Sequence, residues 1–253
     1  MKKSKPIFLL ADVDDNLIAT GRTSDVPGAK PAAWDNKGEV CGFLTPKQQV
    51  MLDWFQSGCE VVPTTARSSE ALRRIRLPFR RYGITAFGGT VLGANGQPLA
   101  KWRSYVEAPA AQAQPVLAGL QALVKSEAKT AGIDVRAVLL NDYGIDMFLS
   151  VKHNQRNLGE LAVLHALLLK AVPSDWTVHM NGNFLAVYPP YLGKEKAARW
   201  FIDNIVPEGA VTVGMGDSLT DLPFMSECDF CFMPNGTQNS RALFNLISKG
   251  AHS

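Results

Sequence analysis

The sequence predicts an α/β fold in which an α+β module is inserted into a mostly parallel sheet. Short apolar runs alternate with longer amphipathic segments near both ends of the chain, which is typical of a parallel sheet covered by helices. The middle of the chain instead has apolar runs joined by short, hairpin-type turns. With 253 residues, 46% of them hydrophobic, the chain is long enough for one or two domains with substantial cores.

The N-terminal elements are predicted from apolar runs and helix caps. Residues 6–11 and 59–63 are expected to form buried strands, because each is a short apolar run that ends at polar or turn residues. Thr45 followed by proline is a typical helix start, so a helix is predicted over residues 45–57. Ser68 is expected to cap the next helix.

The C-terminal part returns to the same alternation of helix and strand. Helices are predicted at residues 194–205, 219–225 and 240–249, and strands at residues 211–215 and 229–232. These elements would complete the parallel domain that the N-terminal elements begin.

The middle segment is predicted to form the inserted α+β module. Helices are expected at residues 109–131 and 158–171, and strands at 136–140, 145–151, 176–179 and 184–188. The connections at 141–144 and 181–183 are too short for crossovers between parallel strands and have hairpin chemistry. We therefore predict a core domain of residues 1–90 and 188–253, with an insertion at 91–187.

Residues 16–44 form a long connection between the first strand and the first predicted helix. A connection of this length is usually functional or has structure of its own. Residues 34–39 include Asp-Asn-Lys-Gly, which is typical of a hairpin turn. We expect a flap beside the end of the first strand, where it would help to exclude water from a site.

Composition excludes several classes of protein. The net charge is only +3, and apart from the basic run at residues 73–81 the Lys and Arg residues are scattered, which argues against nucleic-acid binding. No stretch approaches the roughly 20 apolar residues that cross a bilayer, so we expect a soluble protein. Residues 1–11 resemble a signal peptide only until the apolar run meets acidic residues. The four cysteines lack the density of a disulfide scaffold or a zinc site, which favours a cytoplasmic location.

Three acidic residues, Asp12, Asp14 and Asp15, directly follow the first predicted strand. Open α/β sheets bind ligands at the carboxyl ends of their strands. Carboxylates this close repel one another and are costly to bury as ions unless a cation offsets their charge. Mg²⁺ is a natural partner, because it binds carboxylate, phosphate and water oxygens. The alternative is an ordinary turn at residues 14–16 with an incidental acidic cluster.

A second acidic pair, Asp217 and Asp221, follows the strand at residues 211–215. Glycine at positions 214 and 216 allows the backbone to approach a ligand closely. Asp217 lies where strand becomes helix and suits a direct metal ligand, whereas Asp221 suits an indirect or water-mediated role. The alternative is that the Asp217 region merely caps a helix.

Thr65 and Lys194 supply groups that suit an anion. Thr65 lies between the strand at 59–63 and the helix capped by Ser68, whose free backbone N–H groups favour a phosphate. Lys194 opens a helix, where its positive charge opposes the helix dipole, so a nearby anion explains it better than helix stability does. The alternative is a solvated lysine on a helix surface.

Taken in order, these residues resemble the four motifs of the haloacid dehalogenase superfamily. Asp12-Val13-Asp14, then Thr65, Lys194 and Gly216-Asp217 with Asp221 match the motifs in the right order and at strand ends, over nearly the whole chain. The insertion is similar to the larger α+β cap of the Cof-type and sucrose-phosphatase-like branch, type IIB. The resemblance thus implies a Rossmann-like core with a C2-type cap.

The resemblance also implies a mechanism. Asp12 would attack phosphorus and form an aspartyl phosphate. Asp14 would protonate the leaving alcohol and then deprotonate the attacking water. Asp12, the backbone carbonyl of Asp14 and Asp217 would bind Mg²⁺, supported by Asp221. Catalysis of this kind consists mainly of positioning and electrostatics.

The remaining site assignments concern the substrate. Thr65 and Lys194 would hold the phosphoryl oxygens, and the resemblance adds Arg67 and Asn16 as substrate-binding residues. Asn16 belongs to an Asp15-Asn16 pair that replaces the Gly-Thr with which the superfamily's first motif usually continues. It still offers a backbone N–H and a side-chain amide.

The insertion is expected to choose the substrate, because a cap closes over the leaving group. The polar candidates for contact with a sugar or an acid follow a strand or flank a turn of the insertion, and they are Lys152, His153, Arg156, Asn181 and Asn183, of which Lys152 and Asn183 are chosen as substrate-binding residues. His153 is predicted to be an exposed side chain and not a ligand.

The combined prediction is a Mg²⁺-dependent phosphatase of a small phosphorylated metabolite, with a sugar phosphate preferred. Such an enzyme would act as a monomer or small homo-oligomer, without nucleic-acid or membrane partners. Two alternatives remain open. One is a phosphotransferase similar to the sugar-phosphate mutases, and the other is a non-catalytic protein that binds a phosphorylated metabolite.

Overall fold

The computed structural model describes residues 6–20, 26–79 and 81–250. The chain divides into two compact units, which we call the core unit (Met1–Leu99 and Lys194–Ser253) and the inserted unit (Ala100–Gly193). The predicted insertion, residues 91–187, overlaps most of the inserted unit. Residues 1–5, at the start of the segment that resembles a signal peptide, and residues 21–25 of the predicted flap lie outside the described residues, as does Arg80 of the basic run.

The helices and strands predicted from the sequence are present in the predicted order, together with short strands that were not predicted. The N-terminal elements of the core unit are β1 (Ile7–Ala11), β2 (Ala19–Thr20), β3 (Lys30–Trp34), β4 (Val40–Leu44), α1 (Pro46–Gly58), β5 (Cys59–Pro63), α2 (Ser69–Arg73), β6 (Gly83–Thr85) and β7 (Thr90–Leu92). The inserted unit contains α3 (Ala100–Ala131), β8 (Val135–Asp142), β9 (Ile145–His153), α4 (Leu158–Ala171), β10 (Thr177–Asn181) and β11 (Phe184–Tyr188). The core unit ends with α5 (Lys194–Ile205), β12 (Val211–Met215), α6 (Leu222–Met225), β13 (Phe230–Phe232) and α7 (Gln238–Gly250).

The sheet of the core unit is parallel, in the order β13-β12-β1-β5. Strand β1 lies inside the sheet, and Leu9 at its centre and Leu10 beside it are buried. Ala11, its last residue, is level with Met215 of β12 and Pro63 of β5. The residues that follow these three strands therefore emerge at the same edge of the sheet, which is where parallel α/β sheets place their ligands.

Helix α1 begins as predicted, with a capping box. The Thr45 hydroxyl accepts a hydrogen bond from the Gln48 N–H, and the Gln48 side chain accepts one from the Thr45 N–H. The Gln48 amide also donates to the Asn16 carbonyl at 3.0 Å. The cap thus fixes the helix start and ties it to the loop that follows β1.

The long connection after β1 contains a small antiparallel sheet, in the order β2-β4-β3. Its predicted hairpin turn joins β3 to β4. The Asp35 side chain accepts hydrogen bonds from the N–H groups of Lys37 and Glu39, and Gly38 has a φ of 82°, in the left-handed region that favours glycine.

The inserted unit has an antiparallel sheet, in the order β10-β11-β9-β8, packed against α3 and α4. Both predicted hairpins form. Tyr143 and Gly144 occupy the first turn and Gly182 the second, all with positive φ. The apolar faces of the sheet and the two helices form a shared buried cluster of Leu117, Leu120, Val124, Ala128, Ala137, Leu149, Val151, Leu161, Leu164, Leu168, Leu185 and Val187.

Two predicted helix starts are wrong. The long helix begins at Ala100 and not at residue 109, so Pro109 and Pro115 lie inside it. Buried residues recur at helical spacing before and after both prolines, and this packing outweighs the backbone hydrogen bond that each proline removes. Helix α6 begins at Leu222 and not at residue 219, because Asp221 draws residues 217 and 218 into a turn.

Within the described part of the chain, no helix combines the length and the apolar character needed to cross a lipid bilayer.

Asp229 lies just before β13, the edge strand of the core sheet, and is hydrogen-bonded to Thr212 of the neighbouring strand β12. The Thr212 N–H and hydroxyl donate to Asp229 Oδ2 at 2.8 and 2.9 Å, and the Asp229 N–H donates back to Thr212 Oγ1 at 3.0 Å. The bonds from the Thr212 backbone and hydroxyl lower the pKa of Asp229. The ionised carboxylate is therefore the form that stabilises this corner.

Because Asp229 is exposed and water competes for its hydrogen bonds, we expect Asp229→Ala to lower the free energy of unfolding by only about 0.5 kcal/mol at neutral pH. Because the pKa in the folded state lies below its unfolded value of about 3.9, the contribution is complete above that value and is lost as the pH falls through the folded pKa. Urea unfolding at neutral pH and near pH 3 measures the difference, with Asp203→Ala on the exposed side of α5 as the matched control. An equal difference at both pH values would contradict the assignment.

Candidate active site

The candidate residues for the chemistry lie in the core unit, at the carboxyl edge of its parallel sheet. Backbone hydrogen bonds hold the emerging loops together. The Asp12 N–H donates to the Met215 carbonyl at 2.8 Å, and the Thr64 N–H donates to the Ala11 carbonyl at 2.7 Å. The loops after β1, β5 and β12 are thereby fixed against one another before any side chain is considered.

Lys194, the first residue of α5, lies between two of the predicted carboxylates. Its Nζ donates to Asp12 Oδ1 at 2.5 Å and to Asp221 Oδ1 at 2.7 Å. All three side chains are buried. Burial alone would lower the pKa of Lys194, but the charges of Asp12 and Asp221 raise it above its usual value, so the ammonium is retained.

The pKa values of Asp12 and Asp221 shift in opposite directions, although both side chains contact Lys194. Burial raises the pKa of Asp12 well above its usual value, and the charges of Asp221 and Asp14 add to the increase, although Lys194 opposes it. Burial also acts on Asp221, but Lys194 and the donors of Ser218 outweigh it and lower the pKa of Asp221. Asp221 is thus held as an anion, while ionisation of Asp12 calls for more positive charge nearby.

Both carboxylate oxygens of Asp221 are engaged by protein donors. While Oδ1 accepts from Lys194, Oδ2 accepts from the N–H groups of Asp217 and Ser218 at 3.2 and 3.0 Å and from the Ser218 hydroxyl at 2.8 Å. Asp221 therefore shapes the loop after β12 and orients Lys194, and its indirect role at a metal stays a prediction.

Asp217 lies where burial and neighbouring carboxylates disfavour its ionised form. Burial, followed by the charges of Asp221 and Asp15, raises its pKa to about 7. Ligand atoms of Asp12, Asp217 and Asp221 lie within 4.8 Å of one another. These carboxylates suit a hard divalent cation such as Mg²⁺. Because the Asp221 oxygens are already bonded, Asp12 and Asp217 are its better candidate ligands.

Asp14, the predicted proton-transfer residue, forms a two-pronged ion pair with Arg67. Arg67 Nε donates to Asp14 Oδ2 at 2.8 Å, and Arg67 Nη2 donates to Asp14 Oδ1 at 2.7 Å. Thr65 lies beside this pair, and its buried hydroxyl accepts from the Arg67 N–H at 3.1 Å. Arg67, which the family resemblance assigned to the substrate, thus contacts the predicted acid.

The Asp15-Asn16 pair is accommodated by specific contacts. Asp15 adopts a φ of 56°, in the left-handed region, and its carboxylate accepts from the Thr20 N–H and hydroxyl, both at 2.7 Å. Asn16 is buried and donates through Nδ2 to the Met215 carbonyl at 3.0 Å. Among the described residues, no donor lies within hydrogen-bond distance of Asn16 Oδ1. Asn16 therefore links the loops after β1 and β12, and its contact with a substrate stays a prediction.

The two candidates in the inserted unit differ in their surroundings. Lys152 is exposed, with its Nζ 5.2 Å from the centre of the Phe184 ring. The amide of Asn183 instead bonds to the backbone of His153, accepting from its N–H at 3.2 Å and donating to its carbonyl at 2.9 Å. The prediction that His153 is exposed is wrong, because its ring is buried with Nε2 2.8 Å from Glu160 Oε2. Substrate contacts of Lys152 and Asn183 stay predictions.

Sequence reasoning missed the ion pair between Arg67 and Asp14 and the bond that holds Asp15 to Thr20. The first joins residues 53 positions apart, and its only signal in the sequence was that both follow neighbouring strands. The second depends on residues of the flap, whose fold the sequence indicated only in outline.

Known proteins are similar to this chain in structure, whereas searches by sequence found no match. No protein-family model and no curated protein sequence matches the chain. Among solved structures, the C-terminal domain of trehalose-6-phosphate phosphatase from C. albicans is similar, with a TM-score of 0.59 and 13% identity, over 89% of this chain and 74% of that one. A sucrose-phosphatase from Synechocystis has a TM-score of 0.53 and 13% identity, over 96% of this chain and 98% of that one.

A third similar structure is a protein related to trehalose-6-phosphate phosphatase, with a TM-score of 0.54 and 12% identity, over 97% of this chain and 98% of that one. The chain has the haloacid dehalogenase fold. Within that fold, the parallel sheet of the core unit and the α+β inserted unit confirm the predicted fold class. At such identities the similarity establishes the haloacid dehalogenase fold alone, so an activity has to be argued from the residues at the strand ends.

One position tests how tightly this site is packed. A Cβ on Gly216 would lie 2.3 Å from the Cβ of Asp221 and 2.9 Å from the Sδ of Met225. We expect Gly216→Ala to displace Asp221 and destabilise the protein by about 1–3 kcal/mol, measured by urea unfolding. Gly58→Ala is the matched control, since its Cβ would meet nothing within 4 Å. Equal stability of the two variants would show that the loop after β12 shifts to accommodate the added methyl group at little cost in free energy.

Proposed function

We propose that the chain is a Mg²⁺-dependent phosphatase that hydrolyses a small phosphorylated metabolite, most favourably a sugar phosphate, through an aspartyl-phosphate intermediate. The observation that carries the proposal is the buried Lys194 ammonium between Asp12 and Asp221, at the carboxyl edge of the parallel sheet. Burying a cation and two carboxylates costs desolvation free energy. A site that stabilises the charge of a transferring phosphoryl group would explain why this arrangement is present.

Asp12 is the proposed nucleophile. One of its carboxylate oxygens is held by Lys194, and the other would form the new bond to phosphorus as the bond to the leaving oxygen breaks. Water would then attack the aspartyl phosphate, release phosphate and restore the carboxylate. Lys194 reduces the repulsion between the carboxylate and the incoming phosphate, because its charge faces both.

Asp14 is the proposed acid and base. It would give a proton to the leaving alcohol in the first step and take one from water in the second. Its side chain is 35% exposed, so a substrate or a water molecule can reach it. Thr65, at the end of β5, and Lys194 are the proposed donors to the phosphoryl oxygens.

Asp12, Asp217 and the backbone carbonyl of Asp14 are the proposed ligands for Mg²⁺. The raised pKa values of Asp12 and Asp217 support this, because burial and neighbouring carboxylates disfavour ionisation of both groups more than Lys194 offsets, and a divalent cation would favour their ionised forms. When bound, Mg²⁺ stabilises negative charge on the transferring phosphoryl group.

The substrate class rests on the similar structures and the inserted unit. The similar structures include phosphatases whose names specify sugar phosphates, and the Synechocystis enzyme was solved with sucrose and phosphate. The core unit carries the proposed chemistry, so we assign substrate choice to the inserted unit. Lys152 and Asn183 are its proposed contacts, and Asn16 is a further one in the core unit.

We expect Asp12→Asn to abolish phosphate release, lowering it by about a thousandfold or more, because the amide is a poor nucleophile of similar volume. Phosphate release is measured from a panel of sugar phosphates and small acid phosphates, with Mg²⁺ and with chelator. Asp203→Asn, on the exposed side of α5, is the matched control.

The outcomes of this panel separate the candidate functions. Metal-dependent release by the wild type that is lost in Asp12→Asn supports the phosphatase. Transfer of the phosphoryl group between sugar positions without phosphate release indicates the mutase-like alternative. Phosphate analogues that bind to a wild type without either activity indicate the binding protein.

We expect Asp217→Asn to raise the Mg²⁺ concentration for half-maximal activity by about tenfold or more, because one anionic ligand is replaced by a neutral one. The shift of the melting temperature with added Mg²⁺ provides a readout that does not depend on turnover. That shift should weaken in Asp217→Asn and persist in Asp203→Asn. An unchanged metal dependence would remove Asp217 from the ligand set.

A further inference from the structure

We propose that Arg67 is a positioning residue that holds the Asp14 carboxyl group for proton transfer and does not bind the substrate phosphate. The inference rests on the proposed phosphatase function and gives Arg67 a different role from the one that the family resemblance suggested. It is drawn from the contacts around the Arg67 guanidinium.

The geometry of the pair fixes the plane of the carboxyl group. Arg67 Nε and Nη2 donate separately to the two oxygens of Asp14, at 2.8 and 2.7 Å. Two parallel hydrogen bonds from a planar guanidinium restrain both the position and the rotation of a carboxylate, which one ammonium cannot do. Asp14 is therefore oriented by Arg67 before a substrate arrives.

Arg67 is itself held firmly. Its N–H donates to Thr65 Oγ1 at 3.1 Å, and its carbonyl accepts from the Ala86 N–H at 2.7 Å. Its side chain is only 18% exposed, and Cys41 of β4 lies beside the guanidinium. The next residue, Ser68, caps α2 through the Ala71 N–H. A side chain anchored at both ends is suited to orienting a partner and not to following a substrate.

Arg67 leaves Asp14 able to transfer a proton. A carboxylate has about four lone-pair positions, and the pair uses one on each oxygen. The partly exposed Asp14 can thus meet a leaving alcohol or a water molecule while Arg67 still holds it. In this arrangement the effect of Arg67 on catalysis passes through Asp14.

Because Arg67 acts through Asp14, the effect of an Arg67 substitution on kcat/KM depends on the leaving group. A sugar alkoxide leaves only when it is protonated, whereas p-nitrophenolate leaves readily without a proton. The value of kcat/KM reports the steps up to departure of the leaving group. Loss of a positioned acid therefore lowers kcat/KM for a sugar phosphate far more than for p-nitrophenyl phosphate.

The test compares wild type, Arg67→Gln, Arg67→Lys and the control Arg74→Gln. Arg74 is a matched control because it lies in the same segment and is paired with a carboxylate, Glu70, at 2.5 Å. Each protein is assayed with the best sugar phosphate of the panel and with p-nitrophenyl phosphate, and inorganic phosphate is used as the inhibitor. The ratio of the two kcat/KM values from one preparation does not change with the folded fraction, so a destabilised variant remains informative.

We expect Arg67→Gln to lower kcat/KM for the sugar phosphate about 100-fold. The value for p-nitrophenyl phosphate and the inhibition constant of inorganic phosphate should change little. Arg67→Lys should still show most of the decrease in kcat/KM for the sugar phosphate, because an ammonium restores the charge but not the two-pronged geometry. Arg74→Gln should leave the ratio between the substrates unchanged.

Two other results overturn the inference in distinguishable ways. Equal losses for both substrates, with weaker inhibition by inorganic phosphate, would show that Arg67 binds the phosphate and would leave the phosphatase function intact. A wild type that hydrolyses neither substrate would overturn the proposed function and the role of Arg67 together.

Discussion

The structure of the core unit at its ligand-binding edge depends on one buried ammonium group. Lys194 Nζ lies within 2.7 Å of oxygens from both Asp12 and Asp221, and all three side chains are buried. A buried charge of this kind is tolerated only when paired and hydrogen-bonded, so the positions of the three side chains determine one another. The neighbouring features follow from this requirement. Gly216 allows Asp221 to approach, and Asp221 in turn draws the Asp217 and Ser218 N–H groups into the turn that delays α6.

The core edge could be predicted from the sequence because its signals are local. The apolar runs of β1, β5 and β12 end where the polar residues begin, and parallel strands of similar length bring those ends to one edge. Lys194 at the start of α5 could be recognised because its charge opposes the helix dipole there. Both signals depend on residues that are neighbours in the chain, so no knowledge of tertiary contacts was needed.

The features that could not be predicted are those decided by distant contacts. Helix α3 continues through Pro109 because buried residues on both sides of it pack, and a sequence window cannot weigh that packing against a lost hydrogen bond. His153 is buried because Glu160 and the turn containing Asn183 come together around it. The pair between Arg67 and Asp14 likewise required the loops after β1 and β5 to be placed first.

Asp15 adds a negative charge close to the candidate site and lies in a turn that specific contacts stabilise. The backbone of Asp15 is in the left-handed region, and bonds from Thr20 hold its carboxylate, so the turn forms without glycine. The Asp15 carboxylate also changes the electrostatics of the site. The added charge of Asp15 helps to raise the pKa of Asp217 to about 7, after burial and the charge of Asp221. The Asp15 carboxylate therefore adds to the negative charge at this edge of the sheet, which Lys194 partly offsets at Asp217.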